Sequence, residues 1–356
     1  MRTLRNSSIR QRRKLIPHFQ WGNPSAWGAI MLELFSSETT IVVGLDLSDE
    51  EDKLIKTAVS LAKKTGARLV LVHAIQPFRS YASAGEDMTL PYEAFEQEVH
   101  HSDFDEAEQN LYALRDRLPA EILIETEVVR DYPENALENM AEKVKASIII
   151  CGMREREGET SWYGGMSTAL SMMASSKFPV MILPLTTEID FATSEHNILV
   201  ADNLRDEGLH ALQAALGLCR SIAYKQLIHL HVKKTSYRDI NETVEKIKVA
   251  MIEGRLPPNP EFESDVYLKQ IKDEVKTLMH DRLEAADKDF ARGLHWSPRV
   301  KFGSPSEELQ QVVRESKSDI LVFGKHHFIR PKGLVLGTIP YSAMVEGNVA
   351  SIVVPS

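Results

Sequence analysis

The chain has 356 residues, of which 43% are hydrophobic and 26% are charged, and its formal net charge is -9 at pH 7. These values are typical of an ordinary globular protein with two domains of about 150 residues, and they indicate no unusual compositional class. The longest apolar runs, 147–151 and 179–183, are far shorter than the roughly 20 residues of a membrane helix, so no membrane contact is predicted. The only two cysteines, Cys151 and Cys219, indicate neither a disulfide framework nor a metal site, and the expected compartment is the reducing cytoplasm.

The first residues differ in composition from the rest of the chain. Residues 1–30 carry six basic side chains and no acidic one, which leaves a net charge of -15 for the remaining residues. An acidic folded part argues against a nucleic-acid-binding surface, because such a surface needs clustered Lys and Arg. We therefore predict no nucleic-acid partner, and we expect residues 1–38 to form a basic, disordered extension.

The segments that follow alternate between strand and helix patterns. A strand opens the sequence IVVGLDLSDE at Ile41, an amphipathic helix covers 51–65, and the strand LVLVHA covers 69–74. A variable stretch and a short polar strand come next, and the turn-and-helix sequence DYPENAL follows at Asp131. The strand ASIIICG, a glycine-containing loop, a helix and the strand PVMILP at Pro179 complete this first copy.

The same order of segments returns in the second half of the chain. IVVGLDLSDE is matched by ILVADNLRDE, LVLVHA by LIHLHV, DYPENAL by GSPSEEL, ASIIICG by SDILVFG, and PVMILP by ASIVVP. The offset between the copies is 156 residues at the first aspartates, Asp46 and Asp202, and 158 at the strand-end histidines, but 172 at the turn prolines. One insertion explains this jump, and we predict it within 233–290 as a solvated helix pair.

Strands made of continuous Val, Ile and Leu runs are typical of parallel sheets that are buried on both faces. With right-handed crossovers, each copy forms an open doubly wound sheet of five strands in the order 3-2-1-4-5. We predict an α/β fold with two tandem domains at 39–185 and 196–356, joined by a linker at 186–195. Because the linker is short, the domains should pack together as a pseudo-dimer, and a homodimer of whole chains is also compatible with the sequence.

Ligands of open α/β sheets bind beyond the carboxyl ends of the strands, where the strand order reverses. In the second copy, the loop after the fourth strand, GKHHFIRPKGLVLGT from Gly324 to Thr338, contains three cations and no acid. It leads into the last helix, whose N-terminus favours an anion. The corresponding loop of the first copy has Arg154 and Arg156 against three glutamates. The second copy is therefore predicted to be the better phosphate binder.

The strand with aspartate, the strand ending in His-Val, the G-x-P turn and the Gly-x2-Gly-x9-Gly-Ser/Thr loop together resemble the universal stress protein family from about residue 39 onward. This resemblance implies an adenine nucleotide alpha-hydrolase-like fold, in which the aspartate and the residue after the histidine flank adenine while the glycine loop holds phosphates. It implies ATP or AMP as the ligand of the second domain, with no metal beyond the Mg²⁺ that accompanies ATP. The binding residues so implied are Ala201, Asp202, Val232, Gly303, Gly324, His327, Gly337 and Thr338.

Both copies depart from the family pattern. His327 stands at the second loop glycine of the second copy, and if that position needs a positive φ, a non-glycine residue costs about 1 to 2 kcal/mol. The first copy keeps Asp46, Ala74 and Gly152 but has Glu155 at the second glycine, and one position of its last loop pair also departs. We therefore expect the first domain to keep the fold without the ligand.

No sequence feature indicates catalysis. The chain has no nucleophile elbow, no Walker A loop and no SGGxDS-like loop, and we predict neither catalytic nor metal-binding residues. The sequence is interpreted as that of a stress-response regulatory or binding protein with at most a weak ATPase activity. The alternatives are a nucleotide-free structural adaptor that acts through protein contacts and an ATP-cleaving enzyme, against which the missing phosphate-loop signature counts.

Overall fold

The computed structural model describes residues 31–32, 34–77, 92–154, 168–325, 329–330, 333–334 and 348–355. Two α/β units follow each other along these parts of the chain. The elements of the first unit are β1 (Thr40–Leu45), α1 (Asp52–Thr65), β2 (Arg68–Ile75), α2 (Tyr92–Arg117), β3 (Ile124–Arg130), α3 (Pro133–Val144), β4 (Ile148–Met153), α4 (Thr168–Ser175) and β5 (Val180–Pro184). A short 3-10 turn, Asp49–Glu51, precedes α1.

From β6 to β9 the second unit repeats this order with one additional helix, and a short hairpin of two strands follows β9. Its elements are β6 (His196–Ala201), α5 (Asp206–Ser221), β7 (Tyr224–Lys233), α6 (Tyr237–Ile252), α7 (Ser264–Ala291), β8 (Trp296–Phe302), α8 (Pro305–Ser316), β9 (Ile320–Gly324), β10 (Ile329–Arg330), β11 (Gly333–Leu334) and β12 (Ala350–Val354).

Equivalent helices begin and end with the same local chemistry in the two units. α3 and α8 each have a proline in the first turn, where the missing N–H is not needed and the fixed φ suits the helix. Each ends at a lysine in the left-handed conformation, Lys145 and Lys317, whose N–H bonds back to the last turn. The repeated sequence motif therefore corresponds to a repeated strand–turn–helix unit.

The ten long strands form one sheet in the order β3-β2-β1-β4-β5-β12-β9-β6-β7-β8. Within each unit all strands are parallel, and both halves have the predicted order 3-2-1-4-5, which confirms the fold class. The two five-stranded sheets are joined edge to edge, because β12 pairs antiparallel with β5. This pairing makes a single mixed sheet in which the carboxyl ends of the two sets of parallel strands point in opposite directions.

Apolar side chains cover both faces of this sheet. One layer packs α1, α2, α5 and α7 against it, with Leu61, Leu111, Leu212 and Leu283 among its members. The other layer packs α3, α4 and α8, with Leu137, Met172 and Leu309 among its members. Both layers contain residues of both units, so the hydrophobic core runs across the β5–β12 junction.

The additional helix α6 lies in the region where the insertion was predicted, 233–290. Ser236 caps it, since its Oγ accepts a hydrogen bond from the N–H of Asp239 at 3.1 Å. The apolar side of α6 packs on α7 and on β8 through a small separate cluster that includes Ile240, Met279 and Phe302. The opposite side of the helix is solvated.

The chain before β1 is packed from Met31. Met31, Leu34 and Phe35 are at most 3% exposed and belong to the layer that contains α1 and α5. The segment lies against α5 of the second unit, where a Cβ added to Gly217 would come within 2.6 Å of the Met31 carbonyl oxygen. The packed part of the chain therefore begins before the domain start expected at residue 39. Residues 1–30 lie outside the described residues.

None of the helices within the described ranges is long and apolar enough to cross a membrane.

Candidate functional site

Each unit has a crevice at the point where its strand order reverses. The first crevice lies at the carboxyl ends of β1 and β4, which are neighbours in the sheet, and the second crevice lies at the carboxyl ends of β6 and β9. In the first unit, the helices that follow these strands, α1 and α4, pack on opposite faces of the sheet, which is the arrangement that places a crevice between the strand ends.

The predicted ligand residues that the structure describes all lie at one edge of the second unit, at or next to the carboxyl ends of β6, β7, β8 and β9. They are Ala201, Asp202, Val232, Gly303 and Gly324. The other three, His327, Gly337 and Thr338, lie outside the described residues, as does Glu155 of the first copy.

Asp202 is not the counterpart of Asp46. Nδ1 of His73 lies 2.9 Å from the carbonyl oxygen of Leu45, and Nδ1 of His231, the equivalent histidine, lies 2.9 Å from the carbonyl oxygen of Asp202. The pairing of β1 with β2 and of β6 with β7 agrees with this register. Asp202 therefore occupies the position of Leu45, and the sequence prediction that paired the two aspartates was wrong by one residue.

The counterpart of Asp46 is Asn203. In each residue Oδ1 accepts a hydrogen bond from the backbone N–H two positions along the chain, at 3.0 Å for Asp46 and 2.9 Å for Asn203. The residue in between has a positive φ in both units, 62° at Leu47 and 60° at Leu204. The two strand ends thus continue into the same turn, with aspartate in the first unit and asparagine in the second.

The carboxylate of Asp202 is engaged inside the protein, and its side chain is not exposed. It accepts hydrogen bonds from the N–H of Leu204 at 2.7 Å, from Nε2 of His229 at 3.0 Å and from Nε of Arg282 at 3.0 Å. Nε1 of Trp296 donates to Nδ1 of His229 at 3.4 Å, so Nε2 is the ring nitrogen that donates to Asp202. Burial raises the pKa of Asp202, but the hydrogen bond from His229 and the charge of Arg282 outweigh burial and hold the pKa below its ordinary value. This carboxylate links the end of β6 to α7 through Arg282.

In the first unit, a different residue holds the same turn. The carboxylate of Glu51 is buried and accepts hydrogen bonds from the N–H of Asp46 at 2.7 Å and of Leu47 at 3.0 Å. Burial raises the pKa of Glu51 to about 8, against the opposing effect of these N–H donors. In the second unit the position of Glu51 is taken by Gly208. One carboxylate therefore caps each turn, but it comes from the start of the helix in the first unit and from the strand end in the second.

The first crevice carries an exposed ion-pair cluster. Nη2 of Arg154, two residues after Gly152, lies 2.5 Å from Oδ2 of Asp46 and 3.0 Å from Oγ of Ser48, and its Nε lies 2.9 Å from Oε2 of Glu50. The side chains of Arg154 and Asp46 are 52% and 49% exposed. Burial raises the pKa of Asp46, but hydrogen bonds from Ser48 and the charge of Arg154 outweigh burial and lower it. Asp46 is thus an ionised acceptor at the rim of the first crevice.

Gly324 has a packing role in the second crevice. A Cβ at this position would come within 2.3 Å of the carbonyl oxygen of Glu207, in the first turn of α5. Glycine is therefore required here for the close approach of helix and strand, independently of any ligand.

Lys325 was counted among the three loop cations of the second copy, but its side chain points to the first unit. It is 7% exposed, and Nζ donates a hydrogen bond to the carbonyl oxygen of Ser176 at 2.7 Å. Burial lowers the pKa of Lys325 to about 8. Further along the same loop, Arg330 pairs with Gly333 in the short hairpin formed by β10 and β11. The loop predicted to wrap phosphates therefore contains a hairpin and has one cation fewer.

Sequence reasoning missed the roles of Glu51 and Arg282. Arg282 lies 80 residues from Asp202 in the chain, on a helix of the predicted insertion region, so no local pattern links the two. Glu51 stands opposite a glycine in the other copy, a signal that appears only when the copies are aligned without a gap. Among the residues that the structure describes, no group of three or more His, Cys, Asp or Glu side chains is placed to hold a metal ion.

A sequence model of the Universal stress protein family matches residues 39–184, which are the first unit. A universal stress protein from Archaeoglobus fulgidus DSM 4304 superimposes with a TM-score of 0.55 at 15% identity, over 89% of this chain and 98% of that chain. A functionally unknown protein from Pseudomonas aeruginosa PAO1 superimposes with a TM-score of 0.53 at 11% identity, over 92% of this chain and 94% of that chain. At such identities the likeness is one of fold, and it extends over both units. No curated protein matches the chain.

Proposed function

We propose that this chain, whose first unit belongs to the universal stress protein family, is a ligand-binding regulatory protein of the stress response and that its ligand is an adenine nucleotide. The observation that carries this proposal is the first crevice, where the half-exposed carboxylate of Asp46 lies at the reversal of strand order beside the strand that ends with Gly152 and Met153. A carboxylate there is an acceptor for the amine of adenine or the hydroxyls of ribose. Arg154 next to it is a donor for phosphate.

The contrast between the two crevices supports the first one as the nucleotide site. The side chain of Asp202 is committed to Arg282 and His229, and Asn203 replaces the acidic residue at the position of Asp46. Lys325 is directed away from the second crevice. These three observations weaken the sequence-based prediction that the second copy is the better phosphate binder, because that prediction depended on the charged side chains at its crevice. The second crevice, with its remaining loop cations, becomes the alternative location of the same ligand.

A nucleotide-free adaptor is the second candidate function. It is favoured by the continuous sheet through β5 and β12 and by the polar network around Asp202, which together make the second unit a packing partner of the first. Such a protein would act through its surface. It would neither bind nucleotide nor change its stability when nucleotide is added.

The test uses the purified full-length chain and a matched pair of variants. Mass spectrometry of small molecules released on denaturation should find ATP or AMP, and isothermal titration should measure its binding after removal. Asp46→Ala should abolish binding, whereas Asn203→Ala, the equivalent change in the second unit, should keep it. Loss in Asn203→Ala and in Gly337→Glu, with binding kept in Asp46→Ala, would move the ligand to the second crevice. Absence of binding in every form would leave the adaptor function.

A further inference from the structure

Arg154 covers the acceptor group of the first crevice. Its guanidinium contacts three partners at once: the carboxylate of Asp46, the hydroxyl of Ser48 and the carboxylate of Glu50. All three contacts lie at the rim of the crevice, and Arg154 reaches them from the start of the loop that follows β4. A ligand that is to use Asp46 has to take the place of this guanidinium.

The exchange of Arg154 for a ligand costs little. Both members of the Arg154–Asp46 pair are about half exposed, and ion pairs of this kind contribute at most about 1 kcal/mol because water and salt screen them. The guanidinium has five N–H donors in a planar fork that matches the oxygens of a phosphate. Arg154 is therefore both easily displaced from Asp46 and able to bind an anion close by.

The charges around Arg154 make its presence decisive for an anionic ligand. Asp46 and Glu50 are its carboxylate partners, and Asp49 and Asp52 occupy the same turn and the start of α1. Without the guanidinium, a phosphate group at this rim would face carboxylates and be repelled. A neutral nucleoside would not feel this repulsion.

We propose that Arg154 makes the first crevice select phosphorylated adenosine over free adenosine, by pairing with Asp46 in the ligand-free protein and with the phosphate in the complex. This inference rests on the proposed function and adds to it Arg154 as the residue that recognises the phosphate group. In the complex, N–H or O–H groups of the nucleoside donate hydrogen bonds to Asp46. The guanidinium of Arg154, released from Asp46, pairs with the phosphate oxygens. Glu50 stays within reach of the same guanidinium and keeps it at the rim.

The experiment measures the affinities of AMP and adenosine by isothermal titration for the full-length chain, Arg154→Ala and Arg154→Lys. We expect Arg154→Ala to lower the preference for AMP over adenosine by about 10- to 100-fold, the size of a charge-assisted hydrogen bond. Arg154→Lys should recover part of the preference because it keeps the charge and loses the fork. Arg238→Ala, which removes an exposed ion pair with Glu242 on α6, is the control and should leave the preference unchanged.

Two results would overturn the inference in different ways. If the wild-type chain binds AMP and Arg154→Ala weakens AMP and adenosine by the same factor, Arg154 does not read the phosphate, while the proposed function stands. If the wild-type chain binds neither AMP nor adenosine and does not bind ATP either, the proposed function fails and the inference fails with it. A circular dichroism melt of each variant shows whether a loss of binding comes from unfolding.

Discussion

Asp202 occupies the space that a side chain at Gly208 would need: a Cβ built on Gly208 would lie 1.9 Å from Oδ1 of Asp202. In the first unit, the two equivalent positions hold Leu45 and Glu51, and Glu51 reaches over the turn that Asp202 caps in the second unit. The strand residue and the helix residue have therefore changed together between the copies. A glycine at position 208 of the helix is needed because a larger residue would leave no room for the Asp202 carboxylate at the strand end.

Gly208→Ala should destabilise the chain, because the new methyl group cannot coexist with the present position of Asp202. Overpacking of this kind costs about 1 to 3 kcal/mol, and here it also disturbs a buried charge. The measurement is the free energy of unfolding in urea. Gly293→Ala is the matched control, since a Cβ at Gly293 would meet nothing within 4 Å. Equal stability of the two variants would show that the α5–β6 contact is loose.

Arg282→Met should lower the free energy of unfolding by about 2 to 3 kcal/mol at neutral pH, because it removes a charged hydrogen bond to the buried Asp202. Arg238→Met, which removes an exposed pair on α6, should cost less than about 0.5 kcal/mol. The folded pKa of Asp202 is depressed, so its contribution is present above the ordinary value of 3.8 and is lost as the pH falls below it. The stability gap between wild type and Arg282→Met should therefore narrow in acid, and a gap that stays constant would contradict the assignment of Asp202 as the charged partner.

Lys325→Met tests the buried lysine between the units. The pKa of Lys325 is about 8 in the folded chain, and the ordinary value of a lysine is 10.5. Between these two pH values the unfolded chain binds more protons than the folded chain. The stability of the wild type therefore rises with pH in this range. Methionine does not titrate. Relative to wild type, Lys325→Met should therefore be most stable below pH 8 and should lose that advantage as the pH rises to 10.5. Urea unfolding at several pH values measures this difference, with Lys63→Met, an exposed lysine replacement, as the control.

Leu34→Ala should destabilise the chain although Leu34 precedes both repeats. The residue is 1% exposed in the layer that α1 and α5 share, and truncation of a buried leucine costs about 2 to 5 kcal/mol. Leu123→Ala, at a position that is 63% exposed, should change stability by less than about 0.5 kcal/mol. A small effect at Leu34 would mean that the segment from Met31 contributes little to folding.

The sequence by itself determined the strand order within each unit, but it left open how the two sheets are joined, which occurs through β5 and β12. Continuous apolar strands alternating with amphipathic helices allow few arrangements, because parallel strands need right-handed crossovers and both sheet faces must be covered. The antiparallel pairing of Val180–Pro184 with Ala350–Val354 was not predictable from either copy. Edge strands pair through backbone groups that every residue carries, so no side-chain pattern announces the partner.

At the candidate site, the sequence determined which strand ends form the crevices, and the tertiary structure decided which side chains face them. Matching Asp202 to Asp46 by residue type shifted the register by one, and in a strand one position moves a side chain from one face of the sheet to the other. The contacts of Asp202 with Arg282 and of Lys325 with Ser176 join segments that lie 80 and 149 residues apart. Such contacts depend on how the helices and units pack against each other, and no local sequence pattern contains that information.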